Sequence, residues 1–164
     1  MILGMTIAQF TALHVVISFL GIGSGLVAMQ ALADGRWLPR WQAVFLATTV
    51  LTSLTGFLFP ITTFTPALGT GIISSIILLV ALIAVYGLGR RGRAATVYAV
   101  SATAALWLNL FVLVVQSFLK VPGLNVLAPT GTEAPFLAAQ AAMLIGMIVL
   151  GYKAVTGSRR MQTV

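Results

Sequence analysis

The sequence predicts an all-α integral membrane protein. It would form a single domain over residues 1–164, a helical bundle of five transmembrane helices with the N-terminus outside and the C-terminus in the cytoplasm. Three observations carry this. Of 164 residues, 60% are hydrophobic and only 7% charged, where a soluble domain has about 25% charged, so lipid must solvate most of the surface. The apolar residues gather in five runs, each close to the ~20 residues that a helix needs to cross the hydrocarbon core. Eight of the nine basic residues fall in alternate connections between those runs, which orients a membrane bundle and demands an odd number of crossings.

The first span covers residues 5–32 and ends at Ala33-Asp34-Gly35, a turn followed by Pro39. Ala31-Leu32-Ala33 has the small-residue form of a signal-peptidase site. No positive residue precedes the run, however, and it is far longer than the 7–15 residues of a signal core, so an uncleaved span is expected. The second span, residues 41–59, stops at Pro60, and Pro60 and Pro66 bracket an uncharged loop. The third, residues 70–88, ends at Arg90-Arg91-Gly92-Arg93, which cannot lie in hydrocarbon. The fourth, residues 95–119, is closed by Lys120 and Pro122, and the longest loop follows through Pro129-Thr130-Gly131. Thr132 and Glu133 read as the cap of the fifth span, residues 135–152, with Pro135 tolerated in the first turn. Each run is apolar all round.

Arg36, Arg40, Arg90, Arg91, Arg93, Lys153, Arg159 and Arg160 share one side under this topology, and only Lys120 opposes them. Basic loops stay in the cytoplasm, so the chain is expected to cross its membrane several times with this side in the cytoplasm. Trp37, Trp41 and Tyr152 then sit near the cytoplasmic interface, where amphipathic rings are favoured. The formal charge of +7 is explained by this distribution. Without a basic face interleaved with aromatics, nucleic acid is not an expected partner.

Candidate chemistry is sparse. No Asp, Glu, Lys or Arg lies inside a span, and the one intramembrane ionisable group is His14. Proton relays and voltage sensors place charge in the membrane, so neither is expected. The chain has no cysteine, which removes thiolate metal sites and Cys–His nucleophiles. No catalytic residue, no metal site and no enzymatic activity are expected. Haem is not expected either, because a single His lacks the usual second axial ligand and Met5, Met29, Met143 and Met147 are better read as packing.

Polar neutral residues concentrate in the outer half: Gln9, His14, Thr52, Ser53, Thr55, Ser74, Ser75, Asn109, Gln116 and Gln140. One reading is a small pocket lined by His14, Thr52, Thr55, Asn109 and Gln116. The other is interhelical hydrogen bonding, in which such side chains join helices. Gly21-Ile22-Gly23-Ser24-Gly25 lacks the strand and spacing of a dinucleotide fingerprint. Its Gly21 and Gly25 form a small-residue face for close helix packing, either within the bundle or between copies.

Leu13-His14, the run from Phe45 through Thr48, Thr49, Thr52 and Thr55 to Phe57, and Leu108-Asn109 through Gln116 to Lys120 and Pro122 carry a resemblance, completed by Leu127-Ala128-Pro129-Thr130, Glu133, Pro135 and Phe136. On these segments the chain resembles a family of small uncharacterised bacterial multi-pass membrane proteins. The resemblance implies a multi-pass fold and brings no activity. Family members carry a second His entering the third span, where this chain has Leu68, so a paired-His site is not implied here.

The leading functional expectation is a non-enzymatic inner-membrane protein that binds a small or lipophilic molecule, or a partner, through the outer half of the bundle. A homo-oligomer or an accessory subunit of a larger membrane complex is the second, and a transporter or channel for a neutral solute the third. The bilayer is the common partner.

Overall fold

In a computed structural model, residues 1–60 and 66–162 are described. The chain is all-α. Helices α1 (Ile7–Ala33), α2 (Pro39–Phe57), α3 (Pro66–Leu82), α4 (Arg93–Lys120), α5 (Pro122–Asn125) and α6 (Ala134–Arg160) follow in order, and a π-helical turn, Ile83–Gly87, extends α3. The loop expected between Pro60 and Pro66 lies outside the described residues, apart from the prolines themselves.

Among the described residues, four helices, not five, are long and apolar enough to cross a membrane: α1, α3 with its π turn, α4 and α6. The fifth expected span, α2, falls short for a physical reason. It has 19 residues, barely a span's length, and its first turn is Pro39-Arg40-Trp41-Gln42, which holds a charge and a primary amide.

Local signals explain most boundaries. Thr6 caps α1 in a capping box: its hydroxyl accepts from the Gln9 N–H at 3.2 Å, while Gln9 Oε1 accepts from the Thr6 N–H at 2.9 Å. The Thr-x-x-Gln signature of this box stands in the sequence, and it makes Gln9 a capping residue rather than a member of the outer polar set. The cap of α6 is Glu133, not Thr132, and its carboxylate turns back to accept from the N–H groups of Thr130 and Thr132, each at 3.0 Å. Helix α6 also runs eight residues past the expected end at 152. Lys153 to Arg160 remain helical because this segment packs on the bundle. Ser158 donates to the Ala95 carbonyl at 3.2 Å, and Arg159 Nε donates to Thr96 at 3.2 Å. Gly157 meets the end of α1 so closely that a Cβ there would stand 2.8 Å from the Ala33 carbonyl oxygen.

The helices form a ring in the order α1, α2, α3, α4, α6, closed by α6 on α1, with α1 and α4 also touching across the middle. Of the four span-length helices, α4 is the most buried and α6 the least. The core lies between α1, α2 and α4, where Met29, Leu32, Phe45, Leu46, Tyr98 and Leu106 are all fully buried. Gly21 and Gly25 both face this junction. A Cβ on Gly25 would meet Phe45 Cδ2 at 2.7 Å and Leu106 Cδ1 at 2.8 Å, and one on Gly21 would meet the hydroxyls of Thr48 and Thr49 at 3.2 and 3.3 Å. This small-residue face is therefore occupied inside the bundle, where the missing side chains let α1 approach two neighbours at once.

The three basic segments converge at one end. The Arg90 guanidinium lies 3.4 Å over the Trp37 ring, and the Gly92 N–H donates to Gln162 at 3.2 Å. The C-terminal ends of α1, α3 and α6 and the N-terminal ends of α2 and α4 thus meet there.

Candidate functional site

The side chains of the expected outer pocket divide into two groups and a lone Gln116. Four residues of the α1–α2 seam make the first. His14 Nδ1 is 2.7 Å from Thr55 Oγ1, and one turn deeper Ser18 donates to Thr52 Oγ1 at 3.4 Å and to the His14 carbonyl at 2.8 Å. The imidazole stands edge-on to Phe59, centroids 5.4 Å apart, and Phe59 in turn meets Phe10 at 5.1 Å. Gly56 completes the wall, since a Cβ there would lie 3.8 Å from His14 Cε1.

Asn109 belongs to a second group. Its Nδ2 donates to Thr49 Oγ1 at 3.4 Å, beside Gly21 at the α1–α2–α4 junction. Gly21 is seven residues along α1 from His14, about 10 Å deeper along the helix axis. Gln116 is exposed on α4 and joins neither group. The expected five-residue cavity is therefore not assembled. Two grooves lie elsewhere, between α4 and α6 and between α2 and the end of α3, and none of the five residues lines either.

The hydrogen bonds around His14 suit a ring protonated on Nδ1. The single hydroxyl proton of Thr55 is directed to the Leu51 carbonyl at 2.7 Å, with the Thr52 carbonyl at 3.1 Å, the usual back-bond of a helical threonine. In the tautomer that carries its proton on Nδ1, His14 donates to Thr55 Oγ1 while that hydroxyl keeps its back-bond. The Nε2 atom then carries the free lone pair. It can accept a hydrogen bond or ligate a metal. One imidazole alone holds neither haem in bis-ligated form nor a closed metal site.

A second polar constellation was missed in the sequence. Tyr98 donates to Gln42 Oε1, and Gln42 Nε2 donates to the Ala28 carbonyl at 3.1 Å, so α4, α2 and α1 are tied together in the core. Trp37 packs edge-on against Tyr98 at 5.5 Å and carries Arg90 on its other side. Trp37 is therefore turned into the bundle, whereas Trp41 and Tyr152 are exposed. The only sequence signal for this cluster was an amide placed where a span begins. An amide there is equally the mark of a helix end in water.

An all-α bundle with four helices that can cross a membrane by length and composition is the architecture of a helical membrane protein. No protein-family model, curated protein or solved structure matches this chain.

Proposed function

We propose that the chain is a five-span, non-enzymatic inner-membrane protein, N-terminus outside and C-terminus cytoplasmic, that binds a small lipophilic molecule at His14. The observation that carries the binding reading is the 2.7 Å contact of His14 Nδ1 with Thr55. It fixes the ring and leaves Nε2 as an acceptor within an apolar wall of Phe10, Phe59 and Gly56. An intramembrane ionisable residue is functional by default. The ligand chemistry that fits is an apolar body with one hydroxyl or N–H donor.

The fifth crossing is supported by the α1–α2 hairpin. Contacts between the two helices run from Gly25–Phe45 through Ser18–Thr52 to His14–Thr55, so α2 lies alongside α1 along its length and reaches the same depths. Convergence of the basic segments at one end supports an odd count, because α2 must then return the chain to the far end before α3 begins. The positive-inside rule makes the basic end cytoplasmic.

The test is identification of molecules that co-purify in mild detergent. A species retained by the wild type and lost from His14→Ala, and weakened in Thr55→Val, is expected. An identical extract from wild type and a folded His14→Ala protein refutes the reading. A second reading, an accessory subunit, is favoured by α6, whose Ile145, Ile148, Val149 and Tyr152 are all exposed. A single protomer on native sizing would count against it.

A further inference from the structure

The whole net charge sits at one end of the bundle. Eight basic residues and Asp34 lie there, while Lys120 and Glu133 balance each other at the opposite end, so the basic end holds the full +7. Asp34 is already engaged, 3.4 Å from Arg36. Among the described residues, the side chains of Arg90, Arg91 and Arg93 donate no hydrogen bond to another residue, and Arg90 Nη1 is buried without a partner.

Arg90 differs from its neighbours in being held. Its guanidinium is stacked on Trp37, and Trp37 is fixed by Tyr98. The backbone delivers it there through the π turn: Leu88 N bonds to Ile83 O at 2.9 Å, Arg90 N bonds to Ala84 O at 3.0 Å, and Arg90 has φ +56°. A non-glycine residue in the left-handed region is uncommon, and such conformations and π bulges both gather at functional sites.

A groove runs along the seam between α2 and the end of α3. It has a volume of about 380 Å³ and is lined by Ala43, Leu46, Ala47, Val50, Leu82 and Tyr86. Tyr86 and Leu82 precede Arg90 by four and eight residues in the chain, and Arg40 is three residues before Ala43. An apolar groove, two of whose lining residues stand three and four positions from Arg40 and Arg90 in the chain, matches an amphiphile with an anionic head.

We propose that the α2–α3 groove binds one anionic phospholipid from the leaflet at the basic end, its phosphate held by Arg90 and Arg40 and one acyl chain lying along Ala43, Ala47 and Leu82. Guanidinium groups recognise phosphate through paired N–H donors, and a stacked arginine loses less freedom when it binds. The small side chains of Ala43 and Ala47 leave the space for the chain. A zwitterionic lipid fills the groove without the charge, and free phosphate meets the charge without the groove. This site is separate from His14 and independent of the ligand proposed there.

Delipidated full-length protein in non-ionic detergent is titrated with phosphatidylglycerol, phosphatidylcholine or sodium phosphate and followed by native mass spectrometry. Phosphatidylglycerol is expected to bind about tenfold more tightly than phosphatidylcholine, a preference of the size polybasic contacts give. Arg90→Gln should abolish that preference, and Lys120→Gln, at the other end, should keep it. Ala47→Phe fills the groove without changing charge and should weaken both lipids. The proposal is overturned by equal binding of the two lipids to wild type. It is also overturned by an Arg90→Gln effect no larger than that of Lys120→Gln, or by wild-type lipid binding in Ala47→Phe, which would mark diffuse charge attraction. Competition by phosphate at the lipid's own concentration would assign the site to a free anion instead. Circular dichroism identifies any variant that has not folded, and Ala43→Phe then replaces Ala47→Phe.

Discussion

Gly25→Ala is the sharpest test of the packing at the centre of the bundle. The new methyl group would stand 2.7 Å from Phe45 Cδ2, 2.9 Å from Phe45 Cε2 and 2.8 Å from Leu106 Cδ1. Both neighbours are fully buried, so neither can swing into open space, and α1 must move away from α2 and α4. Overpacking of this kind costs ~1–3 kcal/mol. Against it stands the gain of replacing a helical glycine by alanine, worth ~1 kcal/mol. Gly23→Ala separates the two effects. It lies on the same helix two residues away, and a Cβ there meets nothing within 4 Å, so it carries the propensity gain alone. In equilibrium unfolding in mixed detergent micelles, Gly25→Ala should therefore be less stable than Gly23→Ala by ~1–3 kcal/mol. Equal stability of the two variants would mean that α1 does not approach α2 and α4 this closely.

Gly157→Ala should release the C-terminal end of α6 from α1, since the contact is with backbone carbonyls that cannot rotate away; faster hydrogen exchange at residues 154–160 checks this. Tyr98→Phe leaves Gln42 Oε1 buried without its donor and should cost ~1–3 kcal/mol. In a double-mutant cycle with Gln42→Met the two changes should be strongly non-additive, and additivity would dissolve the network. The chain has no cysteine, so single-cysteine labelling is clean. Leu58→Cys and Thr132→Cys should react with an impermeant maleimide on intact cells, and Arg36→Cys and Arg91→Cys only after permeabilisation. Labelling of Leu58→Cys and Arg36→Cys from one side would remove the fifth crossing.

Helix existence was legible because apolar runs and arginine punctuation mark it directly. Azimuth was not. Depth follows from a residue's place in a span, but which way it faces depends on the neighbour it meets. Asn109 and Gln116 are seven residues apart, two turns, and so share a face of α4. Even so, Asn109 reaches Thr49 while Gln116 is exposed, because α4 touches α2 only over a short stretch. The proposed pocket grouped residues by depth, and the helix crossing separated them. Gly21 and Gly25 were easier, since a glycine pair four residues apart on an apolar helix has few uses other than close approach.

Helix α2 shows how pairing within a bundle offsets the polarity of a segment. Hydropathy charges Gln42 the full cost of taking an amide out of water, a cost that applies when the amide is unsatisfied. In the bundle its oxygen accepts from Tyr98 and its nitrogen donates to the Ala28 carbonyl. Thr48 and Thr55 likewise return their hydroxyls to carbonyls one turn back, at 2.7 Å each. Once these groups are satisfied within the protein, little of α2 besides Arg40 and Trp41 asks for water. Both lie in its first turn, where an interface would be. The polarity that separates α2 from the other four helices is therefore spent on its neighbours. A helix that bonds to both α1 and α4 needs such groups, and a helix facing only lipid does not.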